Sequence, residues 1–373
     1  MKIIISYASA GSGHRRAAQA IYSYIKEHYP AVDVRIIDVL PYTNFIFSTS
    51  YSRGYSFLVM RLKFIWAIIF RITSLKNVSD FIHFICRLNC GRFKNLLIKE
   101  NPDIVLATHF LPAEVVAYLK EKGRINSRLV TAITDFGLHP LWIYQSCDDY
   151  IVGSEHTRDS LIAQGVEESK ILMAGIPIDP RFVSVEGRSL RKVQNTPASQ
   201  AAGLVSAAGF TVLLVTGTFG FVLIDKVVDM LRSEAELIVV CGKNQRLYNR
   251  LKRKDYSGVQ LFGFTEDMHK LMSQADLLVT KPGGLTIAEA MAMDLPLVFI
   301  GSIPGQETEN AQILESYGCA INTNNLESLR QVIINFRNNP EKLDLMRANI
   351  HRIKNPDATE EICRYIMSNN AGA

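Results

Sequence analysis

Apolar runs of strand length, each followed by an amphipathic stretch of helix length, recur along most of this chain, and that rhythm leaves few folds open to it. KIIISYA precedes AAQAIYSYIKEHY, PDIVLATHF precedes AEVVAYLKEKG, and DDYIVGS precedes HTRDSLIAQG, with VDVRIID and RLVTAITDF as further strands. Strand then helix, joined by short loops, predicts a parallel sheet covered on both faces, because a parallel crossover needs a helix and buries both sides of its strands. A second series starts near Phe210 with FTVLLVTGTFG, ELIVVCGKN, VQLFGF, ADLLVTKPGG and LPLVFIG. At 373 residues the chain exceeds one ordinary core. The expectation is therefore an α/β architecture of two doubly wound, Rossmann-like domains facing a central cleft. The expected boundaries are 1–183 for the first domain, 184–209 for a linker or mobile insertion, 210–345 for the second domain and 346–373 for a C-terminal helical tail.

Parallel sheets bind ligands on the loops that leave their strands. The first such loop is Gly11-Ser12-Gly13, between a strand and a helix, with Asp38 closing the next strand where a ribose ligand could stand. Arg16 occupies the third glycine position of a dinucleotide fingerprint, and His14-Arg15 follows the glycines where a phosphate-cradling loop carries Lys-Ser/Thr. The loop is thus a poor nucleotide match. His14 sits in the first turn of the helix, where the dipole disfavours the imidazolium, and a neutral imidazole can serve as general base. A locally bonded loop histidine is the competing reading.

The sharper constellation is ADLLVTKPGGLTIAEAMAMDLPLVFIGSIPGQETENA. Lys281, Gly283 and Gly284 form a turn after a strand, and Thr286 lies in the first turn of the helix that follows. Unpaired amides at such a helix start bind diphosphate. Glu289 is placed to accept ribose hydroxyls, while Gln306 and Glu307 in the next turn, with Asn310 one turn on, suit the hydroxyls of a sugar.

Charge is concentrated. From Tyr42 to Lys99 nine basic residues meet one acidic residue, a net of +8 in a chain of +5. Arg61, Lys63 and Trp66 lie within YSRGYSFLVMRLKFIWAIIFRI, whose uncharged runs, such as Phe64–Phe70, are far shorter than the roughly 20 residues of a bilayer span. Cations interleaved with aromatic and aliphatic residues suit a helix lying in an anionic lipid interface. A core helix with a solvated basic edge is the alternative, and no nucleic-acid motif accompanies the charge. The six scattered cysteines imply a reducing cytoplasm, and the apolar run at Met1–Ala10 is too short for a signal sequence and reads as a strand.

The C-terminal stretch PGGLTIAEAMAMDLPLVFIGSIPGQETENA, the opening YASAGSGHRRAAQAI and TDFGLHPLW at Thr134–Trp142 together resemble the diacylglycerol glycosyltransferases, the family of monogalactosyldiacylglycerol synthase and processive diacylglycerol glucosyltransferase. IVGSEHTRDSLIAQG, MAGIPIDPRF and IVVCGKN fit in the same order. The resemblance implies a GT-B fold, a UDP-hexose (galactose or glucose) in the second domain and diacylglycerol or a similar lipid on the first. It implies inverting transfer with His14 as base and Asp135 orienting His14 or contacting the acceptor. Gly11, Ser12 and Gly13 become an acceptor-side loop, and His139, Pro140 and Trp142 a lipid-facing motif. No Asp-x-Asp motif is present to hold a metal on the diphosphate, so no metal or other cofactor is expected. The expected setting is peripheral, on the cytoplasmic face of an anionic membrane. The loop around Gly217 departs from the family, with Phe219 and Phe221 where it carries more glycines. The alternatives are a peptidoglycan-type N-acetylglucosaminyltransferase with a polyprenyl-linked acceptor, a non-catalytic membrane-bound sensor of UDP-sugars, and a UDP-sugar epimerase on the same fold.

Overall fold

The computed structural model describes residues 1–9, 11–54, 57–58, 61–183, 209–216 and 224–368. The expected insertion, apart from Gly209, and Gly217 with its loop lie outside the described residues.

Two parallel six-stranded sheets carry the fold. The first contains β1 (Lys2–Tyr7), β2 (Asp33–Asp38), β3 (Ile104–Ala107), β4 (Arg128–Ala132), β5 (Asp149–Ile151) and β6 (Ile171–Leu172), in the order β2-β1-β3-β4-β5-β6. The second contains β7 (Thr211–Val215), β8 (Glu236–Val240), β9 (Val259–Phe262), β10 (Leu277–Thr280), β11 (Leu297–Ile300) and β12 (Ala320–Thr323), in the order β12-β11-β10-β7-β8-β9. Central strands such as IVLA of β3 and LLVT of β10 are buried at every residue. Covering both faces with helices requires this, and it is why these strands read as unbroken apolar runs rather than alternating ones.

Each order reverses direction once. In the first sheet β1 pairs with β2 on one side and β3 on the other, and in the second β7 pairs with β8 and β10. Chain leaving the two strands at such a point diverges to opposite faces and opens a crevice at their C-terminal ends. The crevice of the first sheet lies beside Gly11–His14 and Thr108–His109, and that of the second beside Thr216 and Lys281–Gly284.

The chain returns to the first sheet at its end. Helix Ala358–Ser368 buries Ile362, Cys363 and Ile366 against the same core as Ile21 and Ile25 of helix Ser12–His28. Thr359 Oγ1 donates to the Ile178 carbonyl at 2.6 Å and Asn355 Nδ2 to that of Ala174 at 2.9 Å. All six cysteines are buried free thiols.

Between β2 and β3 the basic segment forms short helices. Helix Lys63–Thr73 has two sides: Phe64, Ile65, Ile68 and Ile72 are exposed, whereas Trp66, Ile69, Phe70 and Thr73 turn toward a cavity. Phe81, Phe84 and Leu88 of helix Lys76–Asn89 extend the exposed apolar ridge. Arg61 and Arg71 are exposed along it, while the Lys63 side chain lies outside the described residues. The second helix is anchored from beneath by Glu114, which is buried and pairs with both His83 and Arg87. No described helix is long and apolar enough to cross a membrane.

Candidate active site between the sheets

A cavity of about 490 Å³ opens where the two crevices face each other, lined by loops of both halves and by helix Lys63–Thr73. Gly11, Ser12, Gly13, His14, Asp135, His139, Trp142 and Trp66 reach it from the first half. Lys281, Gly283, Gly284, Thr286, Gln306 and Glu307 reach it from the second.

His14 is half-buried in the first turn of its helix, whose N-cap is Gly11. Its Nδ1 lies 2.8 Å from the Thr108 carbonyl and 2.9 Å from Thr134 Oγ1. A carbonyl only accepts, so Nδ1 carries the proton and the neutral ring keeps its lone pair on Nε2. Burial pushes the His14 pKa down, opposed by the charge of Asp135 and the bond to Thr108. The ring is therefore fixed as a neutral base. Thr108 Oγ1 donates to the His14 carbonyl at 2.9 Å, locking the loops after β1 and β3 together.

Asp135 acts on His14 through charge, and the orienting contacts come from Thr108 and Thr134. Its Oδ1 instead accepts from Asn310 Nδ2 at 3.0 Å, across the cleft. Asn310 is fully buried, takes the Phe136 amide on Oδ1 and gives its second N–H to the Pro282 carbonyl. It joins the two halves and does not line the cavity. Asp38, weighed as a ribose ligand, is occupied by Ser9 and by the Leu40 amide and shapes its own turn.

His109, unforeseen in the sequence reading, packs edge-on to His14 with ring centroids 4.6 Å apart. It caps helix Phe110–Glu121, its Nδ1 accepting from the Leu111 amide, and burial holds its pKa well below the usual value. His139 caps the Pro140–Trp142 turn in the same way, and burial pushes it down to about 4. With Nδ1 accepting, its Nε2 donates to Thr73 Oγ1 at 3.1 Å, which in turn donates to the Phe70 carbonyl. Pro140 starts this turn and stays outside the cavity lining. Trp142, which the resemblance places in a lipid-facing motif, is 2% exposed, packs beside His14, His109 and Phe110 and walls the cavity.

In the second half, helix Gly284–Ala292 begins at the cleft. A Cβ on Gly284 would lie 2.1 Å from the Thr134 carbonyl, so only glycine lets the helix start come this close to the first half. Lys281 Nζ pairs with Glu307 Oε1 at 2.9 Å, and Glu307 Oε2 accepts from the Ile303 amide, which fixes the carboxylate at the cavity edge. Glu289 is buried behind the lining, its Oε1 2.6 Å from Arg16 of the first half. Burial pushes its pKa up to about 7 against the pull of Arg16, and Oε2 has no hydrogen-bond partner among the described residues. Arg16, which spoils the dinucleotide fingerprint, is a tie across the cleft.

The arrangement holds a neutral base and a helix start with a nearby cation on opposite sides of one cavity. Comparison with known proteins follows the same division. Residues 14–178 match the family described as Monogalactosyldiacylglycerol (MGDG) synthase, and residues 211–362 match the Glycosyltransferase family 28 C-terminal domain. A processive diacylglycerol beta-glucosyltransferase of Staphylococcus epidermidis is 29% identical over 374 residues, covering 98% of this chain and 92% of that protein. The Staphylococcus aureus protein of the same name is 32% identical over 286 residues, 73% of this chain and 69% of its own. Among solved structures, Acinetobacter baumannii MurG is similar with a TM-score of 0.61 at 14% identity, covering 98% of this chain and 99% of that one. Anabaena HepE in complex with UDP is similar with a TM-score of 0.54 at 16% identity, covering 99% of this chain and 100% of that one. At such identities these two likenesses speak to the fold, which is GT-B.

Proposed function

The chain belongs to the diacylglycerol glycosyltransferase family of glycolipid-forming sugar transferases, and from that premise we propose that it moves a hexose from a UDP-sugar to the hydroxyl of diacylglycerol at a membrane surface. Glucose is the first donor to try, since the full-length relatives are named for glucosyl transfer. The observation that carries the reading is His14: its Nδ1–H is fixed on the Thr108 carbonyl, and its ring lines the same cavity as the Lys281–Gly284 turn.

The reaction is one displacement with inversion. His14 Nε2 takes the proton of the lipid hydroxyl, the oxygen attacks the anomeric carbon, and the bond from that carbon to the diphosphate oxygen breaks as UDP leaves with the electron pair. Proton removal by a positioned base contributes about 10²- to 10⁴-fold. Amides at the start of helix Gly284–Ala292, with Lys281 beside them, stabilise the charge growing on UDP, so the reading needs no metal. Gln306 and Glu307 take hydroxyls of the transferred sugar, and Glu289, which lies behind the lining with its Oε2 unpartnered among the described residues, is proposed for the ribose. The ridge of Phe64, Ile65, Ile68, Phe81, Phe84 and Leu88, flanked by Arg61 and Arg71, supports peripheral docking on anionic lipid, and the proposed setting of that docking is the cytoplasmic face.

The test is UDP release, with product identification, from UDP-glucose and UDP-galactose in turn on vesicles of diacylglycerol and an anionic lipid, with chelator present throughout. Glycosyl-diacylglycerol from one donor, indifferent to chelator, is the expected outcome. UDP bound without UDP released would replace the transferase reading with that of a sensor, and product only with a polyprenyl-linked acceptor would replace the lipid.

A further inference from the structure

We propose that Phe70 is a positioning residue linking the lipid-facing ridge to the donor side of the cleft: seating the ridge in a membrane fixes its ring on Gly305, and so sets the turn that presents Gln306 and Glu307. The proposal rests on the membrane reading above and names how docking regulates that site.

The geometry is that of one short helix touching three surfaces. Phe64, Ile65, Ile68 and Ile72 of helix Lys63–Thr73 face outward and are exposed. From its inward side the Phe70 ring packs on His139, with centroids 4.7 Å apart, and Thr73 bonds the same histidine. The Phe70 ring also crosses to the second half, where a Cβ on Gly305 would lie 2.6 Å from it. Gly305 has φ +97°, a conformation that L side chains rarely adopt, and it caps helix Gln306–Ser316. The ring therefore bears on the residue immediately before Gln306 and two before Glu307. An 11-residue helix is marginal without packing, and at a membrane its outward side chains gain an apolar partner in lipid. Membrane engagement thus stabilises the helix that holds the ring against the donor turn.

The experiment measures UDP-glucose affinity by titration with and without vesicles of anionic lipid lacking diacylglycerol, so that no transfer to this acceptor intervenes, and in parallel the donor KM and kcat on vesicles containing it. For wild type, vesicles tighten donor binding severalfold. Phe70→Ala retains vesicle binding in flotation but loses the tightening, and its donor KM rises about tenfold with kcat much less affected. Phe70→Leu, which keeps an apolar side chain over Gly305, recovers most of both. Phe64→Glu, on the outer side, loses vesicle binding while its donor affinity in solution equals that of wild type. Tightening that survives in Phe70→Ala, or a Leu variant no better than Ala, overturns the coupling and leaves the membrane reading standing. Wild type that does not bind anionic vesicles overturns both.

Discussion

The glycine loop after β1 and the glycine turn after β10 are built alike and do opposite work. Each leaves a strand beside a reversal of sheet order and enters a helix at the cleft. After β1 the helix start carries His14, whose ring is bonded by Thr108 and Thr134 and held neutral. After β10 the start carries no ring; Gly283, Gly284 and Thr286 line the cavity with Lys281 beside them, and a helix start of this kind favours an anion. The difference teaches that a glycine loop and a helix dipole fix a place for chemistry, and that the polar side chains beside the glycines decide which chemistry the place suits.

The sharpest way to break this comparison is to remove the base. His14→Ala should lower kcat about 10²- to 10⁴-fold with UDP affinity unchanged, as steady-state kinetics and titration would show. In wild type, kcat/KM should fall with acid only below the usual histidine range, because a base works deprotonated and burial has lowered this pKa. A limb above about 6.5 would contradict the neutral ring. Lys281→Ala strikes the other loop, leaving Glu307 without its ion-pair partner. It should weaken UDP-sugar binding by roughly 10- to 100-fold, read by calorimetry, and leave the acidic limb in place. Glu289 sharpens the contrast through pH: as pH falls through about 7 its carboxylate takes a proton and the ion pair with Arg16 across the cleft is lost, so the start of helix Gly284–Ala292 should loosen on the acid side, read by hydrogen exchange. Glu289→Gln should flatten that dependence. The smallest effect belongs to Thr134→Val, which leaves His14 its carbonyl partner and should reduce kcat by about threefold to tenfold.

Much of this was legible because parallel strands buried on both faces leave unbroken apolar runs, and because glycine and proline mark the turns after them. KIIISY and LLVT needed only their own residues to be read, and the place of Lys281 and Gly284 in the turn after β10 follows from neighbours in sequence. The orienting partners of His14 did not. Thr108 and Thr134 reach it across 94 and 120 residues, and only the pairing of β1 with β3 brings the first of them near. PDIVLATHF did show a polar Thr108-His109 at a strand end, a usable signal once that pairing is known. The burial of Trp142 was not legible, because an aromatic ring suits a buried wall and a bilayer edge equally well and only its surroundings decide. Arg16 could be seen to spoil a motif, but its partner Glu289 lies in the other half of the molecule.

The returning C-terminal helix has a mechanical consequence. The chain passes between the halves twice, after Val183 and again between Ile353 and Ala358, and Asn355 and Thr359 fasten the second passage to Ala174 and Ile178, a few residues before the first. A crossing pinned at both bonds works as a clasp: with Asn355 and Thr359 held on Ala174 and Ile178, the end of the chain fastens one edge of the second half to the first.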